Sequence, residues 1–202
     1  MLQVALTGNL LSGKKSVAKK FRQMGVSVFD ADLVLKFILS HRFYFNQNIK
    51  RSLGYSPFSK DGYIDPVKVI TDSDFDKIID EVEFDLLCAY EKFRRSQDSP
   101  YVIFVSSLLF ERGWDDKFDI VLNVFTKRGD RAMRAKGVGL SIIDFFSLTK
   151  NEMSEFKKNE KADYVIHSYV GGPILEESIL KIDDEIKGRI NKLNSYAYDG
   201  RG

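Results

Sequence analysis

Residues 8–16 read Gly-Asn-Leu-Leu-Ser-Gly-Lys-Lys-Ser. Glycine, four residues, glycine and lysine is the spacing of a phosphate-binding loop, in which successive backbone N–H groups line a concave anion site. Gly8 permits the turn and Gly13 lets the backbone approach a phosphate closely. Lys14 stands where a loop lysine reaches the β- and γ-phosphates. The candidate nucleotide-binding set is Gly8, Leu11, Ser12, Gly13, Lys14, Lys15 and Ser16. A complete loop follows its lysine with a hydroxyl for Mg²⁺, and here that residue is Lys15. Ser16 does not replace it, because one residue of helix rotates a side chain by about 100°. Two outcomes are open. Lys15 turns outward and leaves water and an acidic residue to hold Mg²⁺, or its charge sits on the phosphates.

Three further groups carry chemistry. Asp30 and Asp32 end the second expected strand, and residues i and i+2 of a strand face the same side. One could orient Mg²⁺ through water and the other accept a hydroxyl proton; the plainer alternative is a helix cap plus a solvated acid. Glu111 follows Leu108-Leu109-Phe110 after an apolar strand. Lys127, Arg128, Arg131, Arg134 and Lys136 form a basic run. Such a run is usually a solvated helical face, but over a triphosphate Arg131 or Arg134 could stabilise transition-state charge. His41 and His167 have no metal-ligand spacing around them and receive no role.

The elements that must position these groups are legible from periodicity. Leu2 to Leu6 reads as a buried strand. Val17, Ala18, Phe21 and Met24 recur at helical spacing over 14–24, and Gly25 closes that helix. Val26 to Phe29 reads as a second strand. Strand, loop, helix and strand make one βαβ unit and imply a parallel sheet. Residues 33–95 hold helical patterns at 33–39 and 75–93, a turn-rich stretch at 56–66, and no strong buried strand. Tyr101–Val105, Ile120–Phe125 and Ala162–Ile166 read as further strands. The stretch 127–161 reads as charged helix, and 175–193 as a closing helix with Ile179, Ile182, Ile186 and Ile190 inward. The tail from Tyr196 is expected to fray. Alternating strands and helices predict an α/β, doubly wound parallel sheet, whose ligands gather beyond the carboxyl ends of its strands.

Composition bounds the rest. The 202 residues suffice for one domain with insertions. Thirty-one basic and 29 acidic side chains leave a formal charge of +2, too little to argue for nucleic acid or a membrane surface. No apolar run approaches the ~20 residues of a membrane span, and the apolar start is followed by basic residues, the wrong order for secretion. The single cysteine, Cys88, excludes an internal disulfide and fits a reducing compartment. Its expected place is the core. The expected location is cytoplasmic.

In this order the segments VALTGNLLSGKKSVAKKF, GVSVFDAD, SSLLFERG and KADYVI resemble the dephospho-coenzyme A kinase family, over residues 1 to about 185. The resemblance implies a nucleotide kinase-type P-loop fold. Its core is 1–32, 96–126 and 162–202, its helical acceptor-binding insertion 33–95, and its lid 127–161. It implies ATP and Mg²⁺ as cofactors and dephospho-coenzyme A as acceptor, phosphorylated on the ribose 3′-hydroxyl in the last step of coenzyme A biosynthesis. It implies no nucleic acid or membrane partner, and a monomer or weak homo-oligomer. Carried over by position, Lys14 contacts the phosphates, Asp32 is the base, and Arg131 is a lid arginine. Asp30 supports a metal through water, and Asp30, Asp32, Leu109 and Glu111 touch the acceptor.

The chain departs from the family pattern at several places. Lys15 stands for a serine, and Asn9, Leu10 and Leu11 for a Gly-Ile-Gly-like run. Pro66 occupies the place of an arginine, and residues 78–84 lack a His-Pro pair. Ser107 stands for a proline, Ala135 for a second lid arginine, Glu152 for a lid glutamine, and Ser168 for an asparagine. These losses touch metal, acceptor and base pocket together. The alternative reading is therefore a catalytically degenerate relative that binds nucleotide, coenzyme A or a protein partner without turnover. Another is a kinase of the same architecture acting on a different nucleotide-like hydroxyl.

Overall fold

Five short apolar segments pair into one sheet: β1 (Leu2–Thr7), β2 (Ser27–Asp30), β3 (Tyr101–Val105), β4 (Ile120–Phe125) and β5 (Tyr164–His167). The strand order is β2-β3-β1-β4-β5, and β1 is parallel to both β3 and β4, as β4 is to β5. The central strands are buried on both faces, which is why they read as unbroken apolar runs. The computed structural model describes residues 1–41, 43–58, 72–169 and 172–199, and their side chains other than those of 40–46, 72, 73, 194 and 196–199.

The backbone divides into two compact units, Met1–Phe29 with Gln97–Gly202, and Asp30–Ser96. In the first, Val4, Leu6, Ile103, Val105, Leu122 and Val124 alternate onto one face of the sheet. There they meet Val17, Ala18 and Phe21 of α1 (Lys14–Gln23) and Ile179, Ile182 and Ile186 of α8 (Gly172–Asp199). The Val26 N–H returns to the Phe21 carbonyl at 3.1 Å, closing α1 at Gly25 as expected. On the other face Phe104 packs against Trp114 and Phe118, and Asn123 of β4 bonds Asn159 at 2.7 Å. Asn159 lies on α7 (Glu155–Lys161), which follows α5 (Arg128–Gly137) and α6 (Ile142–Leu148).

The second unit holds α2 (Ala31–His41), α3 (Phe43–Leu53) and α4 (Asp72–Arg95), with Ile38, Leu39, Ile49, Ile78, Ile79, Val82, Leu86 and Tyr90 buried. Helix α3 went unread in the sequence. Most of the turn-rich stretch, 59–66, lies outside the described residues. Two expectations are corrected. Cys88 is exposed, because Ile79, Val82, Leu86 and Tyr90 define the buried face of α4 and Cys88 falls off it. The closing helix also does not stop at 193: α8 is helical to Asp199. No described helix is long and apolar enough to cross a membrane.

Candidate functional site

The loop between β1 and α1 has three residues in the left-handed half of backbone space: Gly8 at φ 150, Leu11 at φ 61 and Gly13 at φ 98. A Cβ on Gly8 would stand 2.5 Å from Ser12 Oγ and 2.7 Å from the Val124 carbonyl. One on Gly13 would stand 2.8 Å from Ser168 Oγ. Both glycines are therefore required by turn and by space. Leu11 adopts the same half without that freedom, at a cost of roughly 1–2 kcal/mol. It occupies a position where the sequence resemblance implies a glycine.

Helix α1 starts with two cations. Gly13 is its N-cap and supplies no side-chain cap, and the first turn has no acid. Lys14 is buried, whereas Lys15 and Ser16 are exposed. Among the described residues Lys15 forms no side-chain hydrogen bond or ion pair. Lysines at a helix N-terminus face the positive end of the macrodipole, a placement that disfavours their charge. Three buried polar atoms in and beside the loop, Thr7 Oγ1, Asn9 Oδ1 and Ser12 Oγ, have no hydrogen-bond partner among the described residues. Buried polar groups are normally satisfied, and these suit a wet or liganded loop.

Side chains of 127–161, the stretch expected to form a lid, bond to the loop. Arg131, 1% exposed, donates to Leu10 O at 2.9 Å and to the carboxylates of Glu152 at 2.8 Å and Glu155 at 2.5 Å. Glu152 also accepts the Leu10 N–H at 2.5 Å, and Asn9 Nδ2 donates to Met153 O at 2.9 Å. Arg134 donates to Leu11 O at 3.0 Å and to Ser168 Oγ at 3.2 Å. The Ser168 and Thr126 hydroxyls both donate to Ser12 O. The carbonyls of residues 10–12 are thus held outward by side chains of α5 and the ends of β4 and β5.

A second buried cation sits beside this cluster. Lys158 of α7 is within 2.8 Å of Glu111 Oε1 and donates to Ser107 O at 2.9 Å. Burial holds its ammonium pKa below the ordinary lysine range, with Glu111 and Glu152 opposing and Lys14 reinforcing that shift. Glu111 Oε1 also accepts the Met153 N–H at 3.0 Å. The turn after β3 is thereby tied to Met153 and α7.

The structure brings Gly8, Leu11, Ser12, Gly13, Lys14, Arg131 and Glu111 into one network in the first unit. Leu109 is fully buried, so its side chain serves the core. The strand geometry expected for Asp30 and Asp32 is corrected. Strand β2 ends at Asp30, whose Oδ1 caps α2 by accepting the Leu33 N–H at 3.0 Å, and Asp32 lies in the first helical turn. The cap turns the chain out of the extended conformation, so strand alternation stops before Asp32. No cluster of three metal-ligating side chains exists among the described residues. Lys158, Glu155, Asn9, Thr126 and Ser168 were not read as site residues. Lys158 sits in a run of similar charges, and only burial separates it from Lys157 and Lys161.

Comparison with known proteins agrees with this geometry. Residues 2–170 match the family model of dephospho-CoA kinase. A dephospho-CoA kinase of Aquifex aeolicus is 28% identical over 200 residues, covering 92% of this chain and 98% of its own. A solved Thermus thermophilus protein superposes with a TM-score of 0.75 at 23% identity, covering 90% of this chain and 95% of that one. The dephospho-CoA kinase of Campylobacter jejuni gives 0.53 at 16% identity, covering 91% and 96%. These two structures speak to the fold, a P-loop kinase sheet with flanking helices. With its glycines and buried Lys14 in place, and more than four-fifths of its length matched, the chain belongs to the dephospho-CoA kinase family.

Proposed function

We propose that this protein transfers the γ-phosphoryl group of ATP to the ribose 3′-hydroxyl of dephospho-CoA. The observation that carries the reading is the loop itself. Gly8 and Gly13 have the backbone a phosphate cradle needs, and Lys14 is packed at the start of α1. The acceptor oxygen bonds to the γ-phosphorus as the bond to the β-phosphate oxygen breaks and ADP leaves. By position, Asp32 takes the hydroxyl proton and Lys14 steadies the phosphate charge. Asp30, Asp32, Leu109 and Glu111 are the acceptor-side candidates, with residues 33–95 holding the coenzyme moiety and 127–161 serving as the lid. Arg131 first fixes Leu10; a direct contact with phosphate requires it to exchange at least one carboxylate for the nucleotide. The expected setting is cytoplasmic, without nucleic acid, as a monomer or weak homo-oligomer.

Magnesium is the cofactor the family implies beside ATP, and the loop's donors do not suit it. The residue after Lys14 offers an ammonium where the motif has a hydroxyl. The carboxylates that the lid and the turn after β3 contribute are paired with cations: Glu152 and Glu155 with Arg131, Glu111 with Lys158. Asp30 remains the candidate for a water-mediated contact, with one oxygen engaged as a helix cap. No step is assigned to the metal.

A second reading, nucleotide binding without turnover, is favoured by the pairing of Arg131 to two carboxylates. One assay separates them. Folded protein with Mg-ATP and dephospho-CoA is expected to yield the 3′-phosphorylated product, and Asp32→Asn to lower the rate by about 10²-fold or more. Absence of product above background, with ATP binding intact, favours the second reading.

A further inference from the structure

The mismatch between this loop and a divalent cation has a counterpart in Lys15. We propose that Lys15 is a nucleotide-binding residue that takes over phosphate-charge neutralisation at the loop, so that the protein binds metal-free ATP about as well as Mg-ATP. The inference rests on the nucleotide-kinase reading of the loop and adds a cation preference to it.

Four observations converge. Lys15 occupies the position whose side chain, in a complete loop, reaches the cation beside the β- and γ-phosphates. Its ammonium is exposed and, among the described residues, has no hydrogen bond or ion pair to satisfy it. The first turn of α1 contains no acid to offset Lys15 at the positive end of the helix. Thr7 Oγ1, Asn9 Oδ1 and Ser12 Oγ are buried without hydrogen-bond partners among the described residues, in and beside the same loop. A polyphosphate bearing three or four negative charges would complement the two ammonium groups and the helix N-terminus together. A metal already on those oxygens would instead meet Lys15 as a like charge.

Titration calorimetry with ATP on the full chain tests this, in EDTA and in excess MgCl₂, for wild type, Lys15→Ser and Lys15→Arg, each shown folded by circular dichroism. The wild type is expected to bind in EDTA within about threefold of its affinity in MgCl₂. Lys15→Ser is expected to bind at least about tenfold more weakly in EDTA and to regain affinity with Mg²⁺, while Lys15→Arg stays close to wild type. The proposal is overturned if wild-type affinity drops by more than about threefold when the metal is removed. It is equally overturned if Lys15→Ser matches wild type in EDTA, or if folded protein binds ATP in neither condition. Product formation, measured separately in MgCl₂, reports on the kinase reading alone. Metal-independent ATP binding with no product would leave the role of Lys15 standing and remove the activity.

Discussion

The guanidinium of Arg131 lies 2.8 Å from the Glu152 carboxylate, and the same carboxylate accepts the backbone N–H of Leu10. One acidic side chain therefore couples a cation of α5 to the loop. The family resemblance implies glutamine at this position, whose one amide oxygen can take over from only one of the two carboxylate oxygens that Leu10 and Arg131 use, and which carries no charge. Glu152 adds negative charge beside a loop meant for phosphate.

Glu152→Gln is accordingly expected to tighten ATP binding by about three- to tenfold, with the larger gain at low salt. Stability should change by no more than about 1–2 kcal/mol, since Glu155 still pairs Arg131. Arg131→Met, in contrast, leaves two largely buried carboxylates without their cation and should cost about 3–5 kcal/mol. Urea unfolding and nucleotide titration of the two variants check this. Weaker ATP binding by Glu152→Gln would show that the charge holds the loop open for nucleotide.

Lys158 and Glu111 form a buried pair that removal of one partner should break at a similar cost. Lys158→Met is expected to lower stability by about 3–5 kcal/mol, and Lys158→Met with Glu111→Leu to recover part of it. Additive losses in that cycle would mean the two side chains do not interact.

Leu11 stands at φ 61, where a β-carbon is strained. Leu11→Gly should stabilise the protein by up to about 1 kcal/mol, the relief of strain exceeding the lost entropy and contact. Leu11→Val, β-branched, should destabilise it by about 1 kcal/mol or more. Chemical denaturation with matched slopes measures both, and a stabilising valine would rule out strain at this position.

Alkaline pH has a defined target in Tyr101. Its hydroxyl donates to Asp183 at 2.6 Å, and Lys187 pairs the other Asp183 oxygen at 2.7 Å. Burial first, then the hydrogen bond and charge of Asp183, push the phenol pKa well above its usual value. The unfolded chain therefore releases this proton near pH 10 while the folded one retains it. The stabilisation is complete below pH 10 and falls as pH rises beyond it, by about 1.4 kcal/mol per unit. Tyr101→Phe should flatten that decline in a stability–pH profile while lowering stability at neutral pH by about 1–3 kcal/mol. An unchanged alkaline slope would assign the decline to other groups.

How far the sequence reaches can be judged residue by residue. The spacing of Gly8, Gly13 and Lys14 between an apolar strand and a helical repeat is a local signal, because turn, cradle and helix start are built from consecutive residues. Periodicity placed β1, β3, β4 and α1 for the same reason, and the order of strands and helices implied a parallel sheet. Asp30 was weighed as a helix cap from its residue type, but whether the strand continued to Asp32 depended on that cap forming. Cys88 was misplaced because residue type alone does not say which face of α4 is buried. Neither the partners of Arg131 nor the burial of Lys158 was legible. Glu152, Glu155, Leu10, Glu111 and Ser107 approach them from 21 to 121 residues away in the chain. Sequence by itself determined a phosphate loop on a parallel sheet, since both follow from local pattern. Only the tertiary structure decided which cations pair within the protein, as Arg131 and Lys158 do, and that Lys15 has no such partner among the described residues, because ion pairing depends on side chains that folding alone brings together.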